Sequence, residues 1–206
     1  MSEISTKTSS RSPRADAARN RERLLGAAKV VFSAGGPEAS LEAVARHAGV
    51  GIGTLYRHFP TREALFETVY RREVDELAAL SEAAEGAPAE ALRAWVKANV
   101  AFVATKKGMA AALALAAYNK DLTAYSFVRL SEAAALLIGR AREAKALRTE
   151  ITPQELMRAV FGICVVNDQP GWREMALKLI DVFLDGLLAD SPLTSARRPS
   201  PPAGSA

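Results

Sequence analysis

A glycine set midway between two helix-stopping signals is what most restricts the fold of this chain. Gly35-Gly36-Pro37 stops one helix, Pro60 closes another, and Gly49 falls between them. Ser40 stands where an N-cap belongs, and Glu42 falls in the first turn, facing the positive end of the helix dipole. The spacing predicts a short helix over Leu41–Ala48, ended by Gly49 in the left-handed conformation that a sharp turn needs. A second short helix, about Ile52–Phe59, follows at once. Two short helices joined by a glycine turn are the parts of a helix-turn-helix.

The rest of the chain reads as helix. Ala and Leu dominate, no strand alternation or internal repeat appears, and Gly and Pro fall at segment ends. The first helix runs from about Asp16 to Ala34, with Leu24, Leu25, Ala28, Val31 and Phe32 on one face. Thr61 caps a long fourth helix that carries the stripe Leu65, Phe66, Val69, Tyr70, Val74 and Leu77. After Gly86-Ala87-Pro88 five more helices are expected, at about 89–105, 109–117, 121–147, 154–168 and 172–189. Lys107-Gly108, Asn119-Lys120, Thr152-Pro153 and Pro170-Gly171 separate them. The Ser/Thr-rich residues 1–13 and the Ser/Pro/Ala-rich residues 190–206 are expected to be disordered tails.

Charge and composition narrow the function classes. The net charge of +4 is uneven: residues 1–62 hold 10 Lys and Arg against 5 Asp and Glu. A basic end on a near-neutral body suits a polyanionic partner. The single cysteine, Cys164, excludes an intramolecular disulfide and a cysteine-built metal site. No metal-spaced His/Asp/Glu cluster, phosphate loop or Ser-His pairing is visible, and no cofactor is implied. An enzyme and a helical interaction protein without DNA binding are the rival classes; the first lacks a reacting constellation. No basic leader precedes an apolar run, and stretches such as Met109–Ala117 are too short to cross a bilayer. The expected location is the cytoplasm, with no membrane partner.

The second short helix carries the chemistry. Val44, Ala45, Val50, Leu55 and Phe59 would pack the helix pair, which leaves Thr54, Tyr56, Arg57 and His58 on or near the outer face. Each can donate to a phosphate or a base edge, and the helix holds no acid. The string Gly53-Thr-Leu-Tyr-Arg-His-Phe59, after Ala45-x-x-Ala48-Gly-Val50 and before Arg62-Glu-Ala-Leu65, resembles the DNA-binding signature of TetR-family regulators, with the match running over about residues 20–70. The resemblance implies an all-α fold in which three helices bind DNA, a fourth links them to a ligand-binding domain, and the last two make the dimer. It implies phosphate or base-edge contacts for Thr54, Tyr56 and His58, a phosphate grip for Arg62, and a groove-facing Arg57. Ser40, Ile52 and Gly53 complete the candidate DNA-binding set. Two departures stand out: Gly51 occupies a position commonly held by a capping residue, and Ile52 one often held by Lys, Arg or Gln. Ile52 cannot hydrogen-bond a base, but it can touch a thymine methyl. The second-helix residues Arg46 and His47 read as solvated surface.

The resulting domain expectation is a helix-turn-helix DNA-binding domain over 14–60 and a ligand-binding and dimerisation domain over 61–189, with 61–83 as the linking helix. The last helix is apolar on nearly two faces, so one face needs a partner. Leu156, Val160, Ile163, Leu179, Ile180, Phe183 and Leu187 are the candidate homodimer interface, and paired helix-turn-helix units suit a palindromic operator in double-stranded DNA. Trp95, Asn99, Phe102, Met109, Tyr118, Tyr125 and Phe127 place aromatic and polar groups among small alanines, as candidates to line a pocket for an unknown small-molecule effector. The expected mode of action is that of a ligand-released repressor.

Overall fold

Helix ends set by short polar side chains lay out this structure. Ser40 Oγ accepts from the Ala43 backbone N–H at 3.1 Å, and Thr61 Oγ1 accepts from that of Ala64 at 3.1 Å. Thr152 and Glu155 form a reciprocal capping box: the Thr152 N–H and hydroxyl both donate to Glu155, and the Glu155 N–H donates to Thr152 Oγ1 at 3.2 Å. Each cap satisfies backbone donors that a helix leaves unpaired at its start.

The computed structural model describes residues 13–34, 39–112, 120–165 and 169–189. They form α1 (Pro13–Ala34), α2 (Leu41–Ala48), α3 (Ile52–His58), α4 (Arg62–Glu82), α5 (Pro88–Ala112), α6 (Lys120–Glu143), α7 (Pro153–Val165) and α8 (Trp172–Leu187). Among the described residues the one β pairing is the isolated bridge Leu147–Leu188, so the all-α expectation holds. The expected tails lie outside the described residues, apart from Pro13.

The helix count corrects the sequence reading. Lys107-Gly108 does not separate two helices; α5 runs through both residues. Gly108 is there for contact. A Cβ on it would lie 1.9 Å from the Phe32 carbonyl oxygen, so only glycine lets these two helices approach so closely. Eight helices therefore stand among the described residues where about nine were expected.

The chain divides into two compact units. One holds the described residues of 1–69 and 105–116, the other those of 70–104 and 117–206. In the first, α1 packs on α2 and α3 around Leu24, Ala28, Phe32, Val44, Ala45, Leu55, Phe59, Leu65 and Val69. Met109 of α5 is part of that core, and Ser33 and Thr105 share a hydrogen bond of 2.6 Å. Lys106, half-buried beside them in sequence, has its ammonium pushed down to about 8 by burial.

In the second unit, Trp95 Nε1 donates to the Leu77 carbonyl at 2.7 Å, and Arg140 donates to the carbonyls of Ser81 and Ala84, at the end of α4. Arg93 of α5 donates to Asp181 and Asp185 of α8, and Lys97 pairs with Asp181 at 2.7 Å. α7 packs on both α6 and α8. Over Asp121–Glu143, α6 is long and apolar enough to cross a bilayer, but Leu130, Ala134, Leu137, Ile138 and Ala141 are buried in protein, as in a core helix.

Candidate nucleic-acid interface

The turn between α2 and α3 is fixed by backbone. Gly49 has φ 64°, and its N–H closes α2 on the carbonyls of Ala45 and Arg46. A side chain there would be strained, and its Cβ would meet the Arg23 guanidinium at 2.6 Å. Val50 N–H then returns to the Ala45 carbonyl at 3.0 Å. After this turn α3 buries one anchor, Leu55, at 0% exposure, and Phe59 follows at 2%. Burying these two side chains decides which face of α3 points outward.

The outward face holds Ile52, Gly53, Tyr56 and Arg57, all exposed, with Thr54 and His58 half-buried beside them. Tyr56 is 42% exposed, so it is not a packing residue of this chain. Arg57 lies back along its own helix: Nε donates to the Gly53 carbonyl at 3.3 Å, and a terminal nitrogen donates to Thr54 Oγ1 at 3.0 Å. The His58 ring sits 6.5 Å from that of Phe59. Among these residues no acid occurs, while both Arg57 and His58 lie in the last turn.

Arg62 opens α4 and is exposed. Glu42 is its electrostatic neighbour. Its carboxyl is held below the usual carboxylate range by its own backbone N–H and by the Ser40 hydroxyl, with the Arg62 charge adding a smaller pull. The Ser40 side chain is thus engaged in capping α2. Ser40, Ile52, Gly53, Thr54, Tyr56, Arg57, His58 and Arg62 accordingly sit on α3 or at the N-terminal ends of α2 and α4.

Two contacts were not anticipated from the sequence. The Arg21 guanidinium lies 5.3 Å from the centroid of the Phe59 ring, and Arg23 donates to the Gly49 carbonyl at 3.4 Å. Both arginines are on α1, just ahead of the buried pair Leu24-Leu25, so their charge was read while their reach to the helix-turn-helix was not. Through them α1 contacts both the turn and the end of α3.

Gly51 and Gly53 pose a different question. Neither has the left-handed backbone of Gly49, and a Cβ on either would meet nothing within 4 Å. Gly51 caps α3 without a side-chain hydrogen bond. A glycine inside a helix costs about 1 kcal/mol relative to alanine, so the reason for Gly53 does not lie within this chain's packing.

The candidate pocket residues are distributed more widely than the sequence suggested. Trp95, Asn99 and Phe102 form one buried stripe on α5, and Phe102 meets the Tyr70 ring edge-on at 5.4 Å. Tyr125 and Phe127 are half-buried on α6; Tyr125 donates to Asp75 at 2.6 Å and lies under the Arg71 guanidinium. Trp95 also lines a cleft of about 420 Å³ with Leu80, Ala84 and Glu90. Met109 does not join this group, since it is in the core of the first unit. Tyr118 lies outside the described residues.

The candidate dimer residues divide by burial. Leu156, Val160 and Ile180 are 0% exposed and Leu187 is 3%, so these four hold the second unit itself together. Ile163 and Phe183 are half-buried, and Leu179 is 47% exposed. The apolar groups facing outward are Val165 on α7 and Met175, Leu177, Leu179 and Val182 on α8. Helical periodicity alone marks both faces of α8 and does not say which one its own chain covers.

Comparison with known proteins assigns the family. Residues 24–69 match the model of bacterial regulatory proteins of the tetR family, and residues 87–189 match that of the SbtR-like transcriptional regulator C-terminal domain. The TetR transcriptional regulator SCO0520 from Streptomyces coelicolor is 40% identical, with a TM-score of 0.68 over 83% of this chain and 99% of that one. The TetR transcription regulatory protein from Mycobacterium vanbaalenii is 29% identical, with a TM-score of 0.66 over 85% and 99%. An HTH-type transcriptional regulator of Staphylococcus aureus (strain USA300) is 40% identical over 63 residues, which are 30% of this chain and only 34% of that protein. With a helix-turn-helix matched at one end, a regulator domain matched over the other, and a 40%-identical solved relative aligned over nearly its whole length, the chain belongs to the TetR family of transcriptional regulators.

Proposed function

We propose that this protein is a homodimeric repressor that binds a palindromic DNA operator through α3 and is released from it by a small molecule. The observation that carries the DNA-binding part is the outer surface of α3. Tyr56 and Arg57 are exposed there, Thr54 and His58 flank them, no acid interrupts them, and Arg62 adds a cation at the start of α4. Such a surface offers hydrogen-bond donors to phosphates and to base edges.

Dimerisation is supported by α8. Its Ala176, Ile180, Leu184 and Leu187 are buried, while Met175, Leu179 and Val182, at helical spacing on another face, are exposed. Apolar groups in such a row gain free energy when a second copy removes them from water. Two copies would present two α3 helices to successive half-sites of a palindrome.

Ligand release is proposed on chain continuity. Both α4 and α5 contribute residues to each unit, and the buried stripe Trp95–Asn99–Phe102 lies on α5 upstream of Thr105–Ala112. A ligand lowers DNA affinity only if it binds a DNA-incompetent state more tightly, and DNA must then weaken the ligand by the same factor. The cytoplasm, where the chromosome is, is the proposed place of action, and no catalytic step is assigned. Gel-shift titration against random-sequence DNA, followed by selection of the bound fraction, tests the reading. Enrichment of an inverted repeat is expected; a pool that stays random after repeated selection would overturn it.

A further inference from the structure

Ile52 is the least expected residue on α3. It is wholly apolar and 38% exposed, on a helix whose own anchor, Leu55, is fully buried. One turn on lies Tyr56, also exposed, so the two share a face as i and i+4 neighbours. Exposure here does not come from crowding elsewhere: the residues on both sides, Gly51 and Gly53, have open space where a side chain would be. Nothing in the backbone asks for glycine at either position, since neither has a positive φ. The stretch Gly51-Ile52-Gly53 therefore presents a single apolar side chain between two bare backbone positions, on the helix read above as facing DNA.

Major-groove chemistry gives that side chain few partners. Guanine, adenine and cytosine present hydrogen-bonding groups there, cytosine with a bare C5–H beside its amino group, whereas thymine alone projects a C5-methyl. Ile52 has no donor or acceptor with which to meet the former, and it would desolvate them without return. A methyl group meeting the isoleucine buries apolar surface on both sides. The missing side chains at 51 and 53 remove what would otherwise hold the two apart. We propose that Ile52 is a specificity-determining residue that reads the C5-methyl of one thymine in each half-site, across the opening left by Gly51 and Gly53. This rests on the reading of α3 as the DNA-facing helix.

The test uses the full chain and an operator selected by it from random-sequence duplexes. Each thymine of one half-site is replaced in turn by deoxyuridine, which differs only by lacking the methyl group, and affinity is read by fluorescence anisotropy. One position should lose about fourfold, the factor equivalent to about 0.8 kcal/mol for one buried methyl-sized group. Ile52→Ala should bind the thymine operator more weakly and no longer distinguish thymine from deoxyuridine there. Circular dichroism should find Ile52→Ala folded, because the side chain is exposed. Gly53→Ala, which meets no atom of its own chain, should keep the fold and bind the operator at least tenfold more weakly. If the wild type is indifferent to deoxyuridine at every position, or if Ile52→Ala keeps the full discrimination, the inference is wrong even though DNA binding stands. Failure to select any operator would overturn the DNA-facing reading together with it.

Discussion

Replacing Gly108 by alanine should destabilise the protein, against the ordinary expectation for a helical glycine. The added Cβ would lie 1.9 Å from the Phe32 carbonyl oxygen and 2.9 Å from the carbonyl carbon. These are backbone atoms, so no side-chain rotation relieves the clash; α1 and α5 must part by more than an ångström. Phe32 is fully buried and Met109 is 1% exposed, so parting opens space around both. Overpacking of this kind costs typically 1–3 kcal/mol, and the severity of the contact argues for about 3. Alanine returns about 1 kcal/mol of helix propensity. A net loss of about 2 kcal/mol follows, which for a chain of this size lowers Tm by roughly 4–8 °C. Gly26→Ala is the control, because a Cβ there meets nothing within 4 Å; it should raise Tm by a degree or more. Thermal unfolding followed by circular dichroism gives both values. A Gly108→Ala protein that melts at or above the wild type would refute the close approach of α5 to α1.

Other perturbations separate fold from interface. Leu179→Glu should leave the monomer folded and halve the mass seen by light scattering at micromolar concentration, whereas Ile180→Glu should unfold the chain, since Ile180 is 0% exposed and Leu179 is 47% exposed. A dimeric Leu179→Glu protein would remove α8 from the interface. Lys106 gives a pH dependence whose sign follows from burial: its folded pKa is lowered from 10.5 to about 8. Below pH 8 both states hold the proton; between about 8 and 10.5 the unfolded chain holds it more often, so stability should rise with pH over that window. Urea midpoints should show this rise in the wild type and not in Lys106→Met; parallel profiles would contradict it. Gly49→Ala should destabilise by about 1–2 kcal/mol in thermal melts, because φ 64° disfavours any Cβ.

Much of the fold was legible because helix ends are written in short-range chemistry. Ser40 and Thr61 cap where their spacing said they would, and Gly49 turns the chain left-handed between α2 and α3. The capping box of Thr152 and Glu155 was not foreseen, although Thr152-Pro153 marked the boundary at which it sits. What failed was inference about partners distant in sequence. Gly108 looks like a stop signal to any local rule; only the Phe32 carbonyl pressed against it explains why a helix tolerates it. Met109, grouped with Trp95 and Phe102 by composition, follows the same approach into the core of the first unit. The α8 stripe shows a further limit. Periodicity marks Leu179 and Ile180 alike as apolar, but which of them is covered depends on where α7 lies. The α3 surface was easier to foresee, because burying Leu55 and the following Phe59 fixes the rotation of so short a helix.

The most direct test of α3 as the DNA interface is the salt dependence of operator affinity, measured by anisotropy for the wild type and for Tyr56→Ala. If a dimer neutralises about eight phosphates, log K should fall with log salt at a slope of roughly −7. Tyr56→Ala, with its side chain already 42% exposed, should stay folded and bind more weakly at every salt concentration. A wild-type slope near zero, or a folded Tyr56→Ala protein with unchanged affinity, would contradict the assignment of this surface to DNA.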